Sequence, residues 1–202
     1  MTTLPAALQL PVRRTLHARA LTAALIAAVA GACDGTNDPI ARFDTVTYRP
    51  ALYAINGSPI GVPTAINTAI GSGVRPDAAY DFDVAFDLDA QNRPVLYTQR
   101  SIGRPVGGAG RQVSLQPVAQ AFADVERAPE TKWVADSVLT LTVGEVAVVR
   151  VVSVLCQFDL SPYVFSKLVV DSVHIPTRRI WVTALTNPNC GFRSLQPGRP
   201  RN

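Results

Sequence analysis

Acid–base or nucleophilic chemistry needs a few side chains of suitable type brought together, and this chain supplies few of them. Its two histidines are His17 and His174. Only His174 lies beyond the first 32 residues, so a Ser-His-acid triad or a multi-histidine metal site there would have to be built on that imidazole. Ser172 stands two residues away, on the same face of an expected strand. Neighbours on one strand cannot approach a substrate from opposed directions, so His174 reads as a surface residue at a hairpin.

The carboxylates Asp81, Asp83, Asp87 and Asp89 form the densest polar cluster. Asp87-Leu88-Asp89-Ala90-Gln91-Asn92 opens like a calcium loop, and Asn92 tolerates the positive φ of the glycine usual at the sixth place. The pattern breaks at Gln91, the fifth place, and at Thr98, the twelfth, where a bidentate Glu belongs. No metal is assigned; a calcium ion, were it bound, would use Asp87 and Asp89. A glycosidase needs carboxylates facing each other across a cleft, whereas these line one strand. The glycine-rich stretch 103–110 lacks the closing Lys-Ser/Thr of a phosphate loop, and no cofactor is assigned. Trp133, in a loop beside Glu130, Thr131 and Lys132, is either a plug for the end of the fold or a sugar-stacking residue.

The chain that must position these groups has 202 residues, 48% hydrophobic and 17% charged, with a net charge of +4. That is too apolar for a disordered polypeptide. No apolar run reaches the roughly 20 residues of a spanning helix, which excludes a multi-pass membrane protein.

Residues 1–32 hold Arg13, Arg14 and Arg19 and no acidic group, and Ala20–Ala32 then runs thirteen residues without a charge. At about 1.5 Å per residue such a helix is about 20 Å long, short of the roughly 30 Å hydrocarbon core. A basic stretch, a short apolar stretch and small residues at the end make a signal peptide. Arg13-Arg14-Thr15-Leu16-His17 is a poor match to a twin-arginine export signal.

Ala30-Gly31-Ala32-Cys33 resembles the lipobox of bacterial lipoproteins, with Ala30 where the commonest form has Leu. The resemblance covers the signal segment only. It implies that Cys33 is acylated (palmitate is the usual kind of chain), becomes the first residue and holds the protein to a membrane of the bacterial cell envelope, facing the periplasm or the exterior. Two or three acyl chains anchor stably where one is marginal. Ordinary cleavage after Ala32 also fits, because Ala30-x-Ala32 satisfies the A-x-A pattern.

The chain has three cysteines, and an odd number in an exported protein demands an account. Cys33 as the lipidated residue leaves Cys156 and Cys190 to pair in an oxidising compartment. Three of the 19 basic residues lie in 1–32, so the mature chain keeps 16 against 15 acidic ones, a net charge of +1. Residues 33–99 carry four basic and eight acidic groups and residues 100–202 carry twelve and seven. This mild polarity lacks the basic stripe of a nucleic-acid binder.

Residues 33–41 read as a polar tether and 42–195 as a single β-rich domain; 196–202, rich in Pro, Gly and Arg, reads as a disordered tail. Asn56-Gly57 marks a tight turn. Residues 58–79 read as loops and short edge pieces, and 100–111 as a flexible loop. Along 80–88, Phe82, Val84, Phe86 and Leu88 alternate with Asp81, Asp83, Ala85 and Asp87, which predicts one core face and one solvated carboxylate face. Val118, Phe122 and Val125 share a face if 117–125 forms a short helix. Residues 146–155 are apolar at both parities apart from Arg150 and Ser153, as in a strand between layers. Residues 163–175 and 180–186 predict a hairpin, and the fold class is an all-β antiparallel sandwich or barrel-like domain.

Two functions are compatible with this body. One is a membrane-tethered lipoprotein with a non-enzymatic binding or envelope-structural role toward a protein or glycan partner. The other is a secreted hydrolase or small-ligand binder whose site lies in the 56–79 and 100–111 loops. The sparse histidine and the lack of a nucleophile motif favour the first.

Overall fold

Alternating and doubly apolar runs of this kind can hide their side chains only by pairing into sheets, and the chain does so twice. The coordinates are a computed structural model that describes residues 40–76, 82–102, 111–159 and 161–200. The strands are β1 (Val46–Tyr48), β2 (Ala51–Tyr53), β3 (Ala65–Asn67), β4 (Ser72–Val74), β5 (Val84–Leu88), β6 (Pro94–Thr98), β7 (Val113–Val118), β8 (Val134–Ala135), β9 (Val138–Thr140), β10 (Val146–Val152), β11 (Tyr163–His174) and β12 (Arg179–Asn187). All pairings are antiparallel. One sheet runs β1-β12-β11-β10-β7-β8, with β2 also on β12, and the other runs β4-β3-β5-β6-β9. The all-β, sandwich-like class expected from the sequence is what the chain adopts. Among the described residues no helix is long and apolar enough to cross a membrane.

The main core draws on both sheets, with Ile66, Phe86 and Leu96 from one and Leu115, Val149, Leu168 and Val182 from the other. β10 shows why its sequence is apolar at both parities. Ala147, Val149 and Val151 enter this shared core, while Val146 and Val148 join a second cluster under Val125, Ala128 and Leu195. β10, β11 and β12 form a plain meander, with Val149 opposite Ser166 and Leu168 opposite Ala184.

Three expectations are corrected. Residues 117–125 form no α-helix: β7 continues to Val118 and only Phe122–Asp124 makes a 3-10 turn. Val118, Phe122 and Val125 do pack together, and the short helix expected there is a single 3-10 turn. The segment 196–200 is ordered. Thr45 N–H donates to Gly198 O at 2.9 Å, and Arg199 Nη1 donates to Ala41 O and Arg42 O at 3.0 Å each. A Pro- and Gly-rich segment builds no core of its own, but here it completes hydrogen bonds that residues 41–45 leave open. The carboxylate face of β5 is not solvated: all five β5 residues are buried, as is Asp83 before it. Alternation distinguishes two faces, but not water from a loop that covers one of them.

Candidate functional site

A cavity of about 280 Å³ lies among Ile55, Ser58, Ile60, Val62, Phe82 and Ile102. Ser58 to Thr64 of its lining lie in the 56–79 segment and Ile102 in the 100–111 segment, of which 103–110 lie outside the described residues; the lining is mostly apolar. The Ser58 hydroxyl is buried there with no hydrogen-bond partner among the described residues. Gly57 turns the chain at φ +76°, and Asn56 is pinned from two sides. Arg178 Nε donates to Asn56 O at 2.6 Å, and Asn56 Nδ2 donates to Asp87 Oδ2 at 2.5 Å. Arg178 and Asp87 are themselves paired at 3.1 Å, so the cavity's loop rests on a half-buried ion pair between the β11–β12 turn and β5.

The predicted aspartates are thereby placed, except Asp81, which lies outside the described residues. Asp83 is fully buried; its Oδ2 accepts from Thr68 N–H at 2.7 Å and its Oδ1 meets Arg111 Nη1 at 3.0 Å. Burial of an ionised carboxylate demands such a partner. Asp89 closes its own turn, accepting from Gln91 N–H at 2.9 Å, Arg93 N–H at 2.8 Å and Arg93 Nε at 2.7 Å. The Arg93 backbone N–H, foremost among these bonds, holds the Asp89 carboxyl below its usual range. Asn92 sits at φ +59°, the left-handed conformation its type tolerates. Asp87 and Asp89 thus both have arginine partners rather than pointing at one shared point.

His174 is exposed, with Nδ1 2.7 Å from Thr177 Oγ1, and Ser172 is exposed as well. Cys156 and Cys190 form a disulfide with Cα atoms 5.5 Å apart. Asp159 approaches the two sulfurs, but sulfurs bonded to each other offer no thiolate to a metal. The meander puts the ends of β10 and β12 on either side of β11, and the loops beyond them meet across its start, where Gly191 N–H donates to Tyr163 O at 2.8 Å. Trp133 is partly buried against Phe165 at 6.0 Å, with the Arg150 guanidinium 4.8 Å from its ring and 4.6 Å from that of Tyr163. It covers the outer face of the first sheet.

No protein-family model, curated protein or solved structure matches the chain.

Sequence reasoning missed Lys167. Its side chain is 2% exposed, and Nζ donates to Phe122 O at 2.6 Å and Val125 O at 2.9 Å, fixing the 3-10 segment over the sheet. Burial pushes its ammonium below the ordinary lysine value. The available signal was a lysine inside the run Phe165-Ser166-Lys167-Leu168-Val169-Val170. The arrangement as a whole offers a mostly apolar hollow with Ser58 and Thr64 in its lining, several internal ion pairs and a stapled sheet end. The His174 imidazole meets the Thr177 hydroxyl at an exposed turn, and neither residue lines the hollow.

Proposed function

We propose that the protein is a lipid-anchored exported lipoprotein of the bacterial envelope, whose β-domain binds a protein or glycan partner or serves envelope structure without catalysis. The observation that carries this reading is the allocation of cysteines. The 156–190 bond takes two of the three and leaves Cys33, directly after Ala30-Gly31-Ala32, for acylation. The buried carboxylates support a non-catalytic body, because Asp83 and Asp87 spend their charge on Arg111 and Arg178. Replacing the thiol tests the reading: Cys33→Ser should shift the protein from the membrane to the soluble fraction or leave it as an unprocessed precursor. A variant that stays processed and membrane-bound would overturn it.

The cavity favours one second reading, a small-ligand binder. An apolar hollow of about 280 Å³ whose Ser58 hydroxyl has no partner among the described residues suits a small apolar molecule carrying a hydrogen-bonding group. Thermal-shift screening of such molecules against the parent and Ser58→Ala tests it, since a binder that uses the hydroxyl should stabilise the parent alone.

A further inference from the structure

Three large apolar side chains stand outward on one short turn: Val154 is 70% exposed, Leu155 72% and Phe158 93%. The turn cannot fold inward to hide them. Cys156, 1% exposed, points into the body and is bonded to Cys190. Ser153 Oγ accepts from Leu155 N–H at 3.3 Å, and Cys156 N–H and Asp159 N–H close on Ser153 O and Cys156 O at 3.0 and 3.1 Å. A turn tied this way presents its apolar residues to solvent, and an exposed apolar cluster of this kind marks an interaction surface.

Its position says which surface. Asn189, next to the stapled Cys190, grips the start of the described chain: its Oδ1 accepts from Arg42 N–H at 2.7 Å and Phe43 N–H at 2.9 Å, and its Nδ2 donates to Phe43 O at 2.8 Å. The chain therefore enters the body at the same end of the sheet as the apolar turn. Ile40 and Phe43, 87% and 59% exposed, add to the apolar surface at that end. From Cys33 to Ala41 is eight residues, which reach at most about 29 Å when fully extended. A domain of about 160 residues has a radius of gyration of about 15 Å, so the tether is shorter than the body is wide. An anchor at Cys33 leaves little freedom for any other end to face the bilayer.

We propose that Val154, Leu155 and Phe158, flanked by Ile40 and Phe43, form an apolar tip that seats in the interfacial region of the membrane holding the anchor. The tip fixes the orientation of the domain, and the cavity's loop, at the opposite end of β11 and β12, faces away from the lipid. This rests on the reading that Cys33 is acylated.

The test uses the full protein carrying Phe158→Trp, extracted in detergent and reconstituted into phosphatidylcholine vesicles with either ordinary or brominated acyl chains. The parent, with Trp133 and Trp181, supplies the background. Metabolic labelling with an alkynyl fatty acid reports acylation of Cys33 in the same preparation. The proposal expects brominated chains to quench at least half of the emission that Phe158→Trp adds. Labelled Cys33 with equal added emission in both kinds of vesicle would overturn the tip and leave the anchor standing. Unlabelled Cys33 would overturn the anchor and the tip with it. A blue-shifted added emission that is the same with and without lipid, together with a cross-linked dimer, would show that the tip covers a second copy and would overturn the proposal.

Discussion

The Asp83 carboxylate and the Arg111 guanidinium meet at 3.0 Å across 28 residues of chain, the acid fully buried and the base one-fifth exposed. A residue of the 80–88 strand pattern and the last residue of a segment that reads as a flexible loop are thus joined by one charge pair. The pair is a structural joint rather than a reactive acid, because Asp83 also satisfies the N–H and hydroxyl of Thr68.

Removing the acid should therefore be costly. Asp83→Ala is expected to lower stability by about 3 kcal/mol or more, since it leaves Arg111 without its buried counter-charge and Thr68 without its acceptor. Asp83→Asn keeps an acceptor for Thr68 and should cost less. Urea midpoints of the two variants check the ranking, and equal, near-zero shifts would contradict it.

How much was legible follows from what local pattern can carry. The doubly apolar run Val146–Val152 announced a strand between layers, and β10 is covered on both faces. The pairing of Cys156 with Cys190 followed from setting Cys33 aside among three cysteines, and the loops beyond β10 and β12 bring the two together. The aspartate face did not read correctly, because the partners of Asp83 and Asp87, Arg111 and Arg178, lie 28 and 91 residues away. Long-range neutralisation leaves no local mark. The same holds for the tail: Arg199 looked solvated, but its ties are to Ala41, Arg42 and Asp44, more than 150 residues earlier. Of the candidate site, the turn at Asn56-Gly57 was legible from its residue types, while the cavity and the buried Ser58 hydroxyl depend on how Phe82 and Ile102 pack.

The disulfide should be worth about 3 to 4 kcal/mol, because it closes a loop of 34 residues' separation in the unfolded chain. Cys156→Ser/Cys190→Ser is expected to lower the unfolding free energy read from urea denaturation by that amount. Unchanged stability would mean that the loops beyond β10 and β12 are held together without it.

Alkaline pH should weaken the fold through Tyr48. Its phenol packs against the core and its pKa is pushed up to about 12, chiefly by burial, with the hydrogen bond to Thr186 opposing. A folded value above the unfolded one means a contribution intact below pH 10 and lost as pH rises from about 10 to about 12, on the order of 2 to 3 kcal/mol. Lys167 works the other way, since its folded value is lowered and its contribution grows as pH climbs toward 10.5. The difference between the parent and Tyr48→Phe isolates the phenol. The variant's melting temperature should fall less steeply above pH 10, and parallel curves would contradict the account.

Calcium should leave the melting temperature unchanged to within a degree or so. Asp87 already faces Arg178 and Asn56, and Asp89 faces Arg93, so a cation would have to displace arginines. A rise of several degrees on calcium titration would show that those pairs open to admit the ion.

The most direct measurement of the central claim is the mass of the amino-terminal peptide from protein extracted with detergent out of its own membrane. The account predicts a peptide that begins at Cys33 and carries a diacylglyceryl group on the sulfur. A peptide that begins at Cys33 with an unmodified thiol, or one that still carries residues 1–32, would contradict it.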